Sequence, residues 1–192
     1  MFLFSIPEEP APQHGQAKYL ENCIFRISEG DKEALAGLYE STHTAVYGFA
    51  LSLCKNMHDA EDVLQDVFVQ IWNAAGQYTA AGKPMAWIFT ITRNLSLQCL
   101  RQKGRLVPLP SEELQEHLEE SPQLTSEDRI VLEALLDSLQ DEERQIVVLH
   151  ALSGMKHREI ASFLQLPLPT VLSKYRRAIK KLGNIVKEAD SL

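Results

Sequence analysis

Between residues 173 and 181 one serine and five cations, Ser173, Lys174, Arg176, Arg177, Lys180 and Lys181, share one arc of a helical repeat. Such a set recognises phosphates and base edges; it does not make or break bonds. The opposite arc is apolar. Val171, Tyr175, Ala178, Leu182 and Ile185 recur at i, i+4, i+7, i+11 and i+14, and Leu172, Ile179 and Val186 widen that face. A helix that packs by one face and shows cations on the other suits the major groove of DNA. Catalytic chemistry has no comparable support. The six histidines, His14, His43, His58, His117, His150 and His157, lack metal-ligand spacing, and Cys23, Cys54 and Cys99 form no CxxC or Cys/His cluster. No Ser/His/Asp or phosphate-loop arrangement occurs. The expectation is therefore a binding protein with no catalytic residue, metal or cofactor.

The basic helix needs elements to hold it. Ile160, Ala161 and Leu164 mark a preceding helix, which Gln165-Leu166-Pro167 breaks, because proline cannot extend the hydrogen-bond ladder. Pro169 suits the first turn of the next helix. This is a helix-turn-helix pattern. Upstream, Asp141 is placed to cap a helix over 142–152 that turns Ile146, Val147 and Leu149 inward and ends at Gly154. Thr125 with Asp128 resembles a capping box for another, running to about Ser138.

The first half is also helical. Leu20, Ile24 and Ile27 line a short helix over 18–29, and Asp31 caps another that reaches Cys54, with Leu35, Leu38, Val46, Phe49, Ala50 and Leu53 inward. Residues 58–73 carry Ala60, Val63, Leu64, Val67, Phe68, Ile71 and Trp72 at unbroken helical spacing. Their outward face is Asp62, Gln65, Asp66, Val69 and Gln70, which reads on pattern alone as a solvated face. The loop 74–84 sets Gln77, Tyr78 and Thr79 between two helices. Tyr78 there either stacks on a base or folds back as part of a plain connector. Residues 85–103 follow, with Trp87, Ile88, Ile91, Leu95 and Leu97 apolar and Arg93, Asn94, Arg101 and Lys103 polar. Strand signals are nearly absent, so the fold class is all-α.

Charge distribution divides the chain. Its net charge of −7 is unusual for a nucleic-acid binder, but residues 106–128 hold seven acids and no Lys or Arg. Removing them from the 26 acids leaves 19, equal to the 19 bases. Within that neutral remainder, 83–105 and 171–187 carry five and six bases without an acid. The expected organisation is a tail over 1–17, a helical domain over 18–105, an acidic linker over 106–125 rich in proline, and a helix-turn-helix domain over 126–190. Apolar runs fall far short of a membrane span. MFLFSI has no basic flank to read as a signal peptide. Widely spaced cysteines fit a reducing, cytoplasmic setting.

Taken together, DAEDVLQDVFVQIW at 59–72, PMAWIFTITRNLSLQCLR at 84–101 and LQDEERQIVVLHALSGMKHREIASFLQLPLPTVLSKYRRA at 139–178 resemble the extracytoplasmic-function (ECF) group of bacterial sigma factors. The resemblance covers about residues 20–187. It implies a promoter-specificity subunit with two partners, core RNA polymerase and promoter DNA. The outward face of 58–73 would then bind polymerase through Asp62, Gln65, Asp66 and Val69. The −10 element would be met by Gln77, Tyr78, Arg93, Asn94, Arg101, Lys103 and Arg105, with a flipped base captured by the 74–84 loop. The −35 element would be met by Thr170, Ser173, Lys174, Arg176, Arg177 and Lys181. Family members are often held inactive by an anti-sigma factor, and the linker would permit that here. Some positions depart from the family pattern. Gln98 replaces an acid, Lys156 replaces a Ser or Thr cap, Gln165 replaces a turn glycine, and Pro169 and Leu172 replace a glycine and a cation. The lost cap is worth about 1 kcal/mol. A stand-alone helix-turn-helix regulator and a protein-interaction module using the basic helix are the alternatives that the residues leave open.

Overall fold

The computed structural model describes residues 14–105 and 138–189, and every regular element among them is helical. In order they are α1 (His14–Ser28), α2 (Lys32–Cys54), α3 (Met57–Ala74), a single 3-10 turn (Ala75–Gln77), α4 (Pro84–Arg105), α5 (Asp141–Ala151), α6 (His157–Leu164) and α7 (Leu168–Ala189). The acidic linker, the Thr125/Asp128 capping box and the helix expected up to Ser138 lie outside the described residues. The tail does so only in part, because α1 already starts at His14.

Helix α2 is the centre. It packs against α1, α3, α4 and α5, and is buried nearly all round from Thr42 to Cys54. A helix surrounded in this way needs small or self-satisfied polar residues among its apolar ones. Thr42 donates to Leu38 O at 2.7 Å and Ser52 to Phe49 O at 2.7 Å, so neither buried hydroxyl goes unpaired. Asp31 caps the helix by accepting from Glu33 N and Ala34 N at 2.9 and 3.1 Å. The chain turns into α3 through Lys55 at φ 56°, and Asn56 caps α3 by accepting from Asp59 N at 3.1 Å.

The two groups of helices share one apolar core. Phe163 of α6 meets Phe49 of α2 and Phe89 of α4, with ring centroids 5.8 and 6.4 Å apart. Gly48 lets α5 approach α2 closely, since a Cβ there would sit 2.5 Å from Leu152 Cδ1 and 3.5 Å from Val148 Cγ1. Lys55 and Asp141 close the edge of this contact at 2.7 Å. Asp141 therefore does not cap α5, as its sequence position suggested. Gln140 takes the capping position, and its N–H donates to Glu143 Oε2 at 3.3 Å.

The helix-turn-helix keeps its geometry despite two unusual residues. Lys156 offers no capping oxygen, but its backbone N–H donates to Glu159 Oε2 at 2.9 Å, half of a capping box. Gln165 takes the left-handed turn at φ 57°, and Leu166 N closes on Ala161 O at 2.9 Å.

Candidate functional site

Three exposed polar surfaces lie on three helices; α3 and α4 are backed by the shared core, and α7 by Val171 of that core and by a smaller cluster of Leu139, Val147 and Ala178. On α3, Val63, Val67, Phe68 and Ile71 are buried. That turns Asp62, Gln65, Asp66 and Val69 outward on one continuous face, with Val69 61% exposed. An exposed valine ringed by acids and glutamines has the make-up of a protein contact: an apolar centre with a polar rim.

Helix α4 buries Ile88, Phe89, Thr92 and Ser96 completely. Thr92 and Ser96 donate to Ile88 O and Thr92 O at 3.0 and 2.9 Å, which makes a smooth, self-satisfied face against α2. The opposite side exposes Arg93, Asn94, Gln98 and Arg101 in one stripe. Arg93 and Arg101 carry no ion pair among the described residues. Lys103 is turned elsewhere. Its ammonium pairs with Asp59, a carboxylate 4% exposed in the first turn of α3, and that bond raises the lysine's pKa. The side chain of Arg105 lies outside the described residues.

The loop before α4 is pinned to α1. Tyr78 donates its phenol to Glu21 Oε1 at 2.8 Å, and Gly82 N donates to the same oxygen at 2.9 Å. The ring stands edge-on to Trp87 at 5.1 Å. Burial, then the Glu21 carboxylate, push the phenol up to about 12, so it stays a neutral donor. Tyr78 is thus folded back and half-buried, while Gln77 is exposed.

The cations of α7 divide into two stripes. Lys174, Arg177 and Lys181 point toward α5. Lys174 Nζ lies 2.9 Å from Glu142 Oε2, Lys181 Nζ 2.8 Å from Glu143 Oε2, and Arg177 Nε 3.5 Å from Glu143 Oε1. Burial alone would raise the pKa of Glu143. Lys181, the Gln140 N–H and Arg177 outweigh it and hold the carboxyl below its ordinary value. Ser173, Arg176 and Lys180 form the second stripe, exposed at i, i+3 and i+7, and Thr170 is half-buried at its start. Neither Arg176 nor Lys180 has an ion pair among the described residues. Lys180 belongs to the basic arc of the sequence but was absent from the residues named for the −35 element, although the spacing 173/176/180 would have indicated it. Glu143 and Asp59 were also missed, since the cations that engage them lie 38 and 44 residues away.

Behind α7, His150, His157 and Tyr175 stack together. The two imidazoles are 4.3 Å apart, with the Tyr175 ring 4.9 and 4.7 Å away. His150 Nδ1 lies 2.9 Å from Met155 O and so carries the proton, while His157 Nε2 is enclosed with no hydrogen-bond partner. Burial, then His150, lower the pKa of His157. Among the described residues no group of three or more His, Cys, Asp or Glu could hold a metal ion. No helix among them is long and apolar enough to cross a membrane.

Known proteins resemble this arrangement in both sequence and fold. The model for sigma-70 region 2 matches residues 38–106, and the model for sigma-70 region 4 matches residues 129–182. The ECF RNA polymerase sigma factor SigK of Mycobacterium sp. (strain KMS) is 28% identical over 173 residues, covering 86% of this chain and 89% of that protein. The ECF RNA polymerase sigma factor SigE of Mycolicibacterium smegmatis is 33% identical over 155 residues, covering 76% of this chain and 59% of that protein. Among solved structures, CnrH in complex with the cytosolic domain of CnrY superposes with a TM-score of 0.59 at 22% identity, over 88% of this chain and 98% of that one. The sigma factor RpoE, in complex with the anti-sigma factor NepR from Bartonella quintana, gives 0.56 at 25% identity, over 76% and 91%.

Proposed function

This chain belongs to the extracytoplasmic-function group of sigma-70 factors, and we propose on that premise how its surfaces divide the work. As a sigma factor it binds core RNA polymerase and directs promoter recognition and transcription initiation. The outward face of α3, with Asp62, Gln65, Asp66 and Val69, docks on the polymerase. The α4 stripe of Arg93, Asn94 and Arg101 holds the backbone of the opening −10 strand, with Lys103 and Arg105 at the same end of the helix. Gln77 is the exposed residue of the loop that takes a flipped base, and Tyr78 shapes that loop from behind. Unstacking one base costs a few kcal/mol, which contacts from the loop and α4 must offset. Thr170, Ser173 and Arg176 face the −35 groove, with Lys174, Arg177 and Lys181 alongside. Residues 18–105 and 126–190 act as the two promoter-reading units on either side of the 106–125 linker, in the cytoplasm where the polymerase works. An anti-sigma factor that covers these surfaces is a further proposed partner, in keeping with the solved neighbour bound to one.

The separation of three exposed polar stripes onto three helices is the observation that carries this reading. It also requires a change of shape. The −10 and −35 elements lie about 25 base pairs apart, on the order of 80 Å at roughly 3.4 Å per pair. A compact globule of this chain length spans only about 40 Å. The contact of α5 and α6 with α2 and α4 must therefore open on the promoter. The test is run-off transcription by core enzyme plus this protein, together with co-purification. Asp66→Arg with Val69→Glu should abolish co-purification while leaving the helical circular-dichroism signal intact. Retained co-purification of that variant would remove α3 from the polymerase interface.

A further inference from the structure

The first turn of α5 holds three consecutive acids, each tied to a cation outside that helix. Asp141 meets Lys55 in the turn after α2, Glu142 meets Lys174 of α7, and Glu143 meets Lys181 and Arg177 of α7. Glu143 differs from the other two in burial. Its side chain is 1% exposed, against 49% for Glu142 and 62% for Asp141. It is also fixed within its own helix, because the Oε2 that accepts from Lys181 accepts the Gln140 N–H as well. A carboxylate out of water needs its cation in place, so it has little freedom to follow a moving partner.

Consider what this does to α7. Residues 174, 177 and 181 form one stripe and 173, 176 and 180 the next, each at i, i+3 and i+7. The two are offset by one residue, which is about 100° of rotation around a helix of 3.6 residues per turn. Whichever stripe is tied to α5 determines which stripe faces outward. We propose that Glu143 is the positioning residue of α7: by holding Lys181 and Arg177 it sets the helix's rotation and so aims Ser173, Arg176 and Lys180 at the DNA. This rests on the proposed −35 reading of α7. It makes Lys181 an anchor and adds Lys180 to the DNA-facing set.

Simple electrostatics predicts the opposite result for a mutation at this site. An acid beside a DNA-reading helix repels phosphate, so a neutral replacement would tighten binding. As a positioning residue, Glu143 should weaken sequence reading when neutralised. The experiment uses holoenzyme assembled from core polymerase and the full chain. The probes are a duplex that the wild-type holoenzyme selects from a pool randomised at −35, and the same duplex with that region scrambled. Glu143→Gln should cut the ratio of the two affinities by about tenfold, the size of one lost base-pair preference. Binding to the scrambled duplex should stay nearly unchanged. A role limited to fold stability would lower the melting temperature and leave that ratio intact for the assembled holoenzyme. Lys181→Gln supplies a second variant that leaves Glu143 in place. As an anchor it loses discrimination at an unchanged salt slope. As a phosphate contact it would keep discrimination and lower the salt slope by about one, which overturns the proposal. An unchanged or raised ratio for Glu143→Gln also overturns it. If the wild-type holoenzyme enriches no −35 sequence, the DNA reading of α7 falls and this inference falls with it.

Discussion

Truncating Phe163 should open the two halves of the protein. Phe163 sits on α6, half-buried, against the fully buried rings of Phe49 and Phe89 in the other group of helices. Phe→Ala in a closed core costs about 3–5 kcal/mol. Half burial reduces this to about 2 kcal/mol, in line with two ring contacts worth roughly 0.5–1.5 kcal/mol each. Since the contact joins two units, that energy enters the opening equilibrium directly, and about 2 kcal/mol is close to a thirtyfold change. The assay is energy transfer between dyes at Gln70 on α3 and Asn184 on α7, both exposed. The open population should rise by about thirtyfold, up to saturation, and core polymerase should bind Phe163→Ala at least as well as wild type. Gly48→Val gives an independent wedge on α2, where the added Cβ meets the side chain of Leu152, just past the end of α5, at 2.5 Å. If both variants keep the wild-type distance distribution, the contact of α5 and α6 with α2 and α4 is not what holds the halves together.

Three further outcomes follow from single side chains. His157 is kept neutral in the fold by burial and His150, whereas the unfolded chain takes up a proton near its ordinary 6.5. Its contribution is therefore complete above about pH 6.5 and is lost as pH falls below that value. Thermal melts should show this loss, and His157→Phe, which preserves the stack, should flatten it; an equal slope in the variant would refute the assignment. Lys103→Met should lower stability by about 1 kcal/mol, because Asp59 stays buried without its cation and the lysine itself is largely exposed. A role for Lys103 at the DNA backbone alone would leave the melting temperature unchanged. Gln165→Gly should raise the melting temperature by about 2 °C, since glycine relieves a left-handed backbone at φ 57° at some entropic cost; a fall would show that the Gln165 side chain contributes more than its backbone strain costs.

Periodicity carries a great deal here. The stripe Ala60, Val63, Val67, Phe68 and Ile71 is buried as the spacing requires, and the outward set Asp62, Gln65, Asp66 and Val69 follows from it, because a helix with one apolar stripe has only one way to face a core. The caps at Asp31 and the break at Gln165-Leu166-Pro167 were legible for the same reason: they act within a few residues. On α4 the apolar pattern shows only part of the buried face. Leu95 and Leu97 are half-buried, while Thr92 and Ser96 are fully buried, because a close approach to α2 favours small hydroxyls that bond their own helix. Gly48 carried no visible message until Leu152 came to rest against it.

The sequence by itself determined the helices, their apolar faces, the helix-turn-helix and a basic arc around residues 173–181, since each depends on neighbours three or four positions away. Only the tertiary structure decided what the individual cations do. Lys103 closes on Asp59, and Lys174, Arg177 and Lys181 close on Glu142 and Glu143, while Arg176 and Lys180 remain turned outward without an ion pair among the described residues. A helical arc distinguishes inside from outside to within about 100° per residue. Sorting one cation from the next takes the position of a carboxylate some forty residues away along the chain, and the packing of α5 against α7 supplies that position.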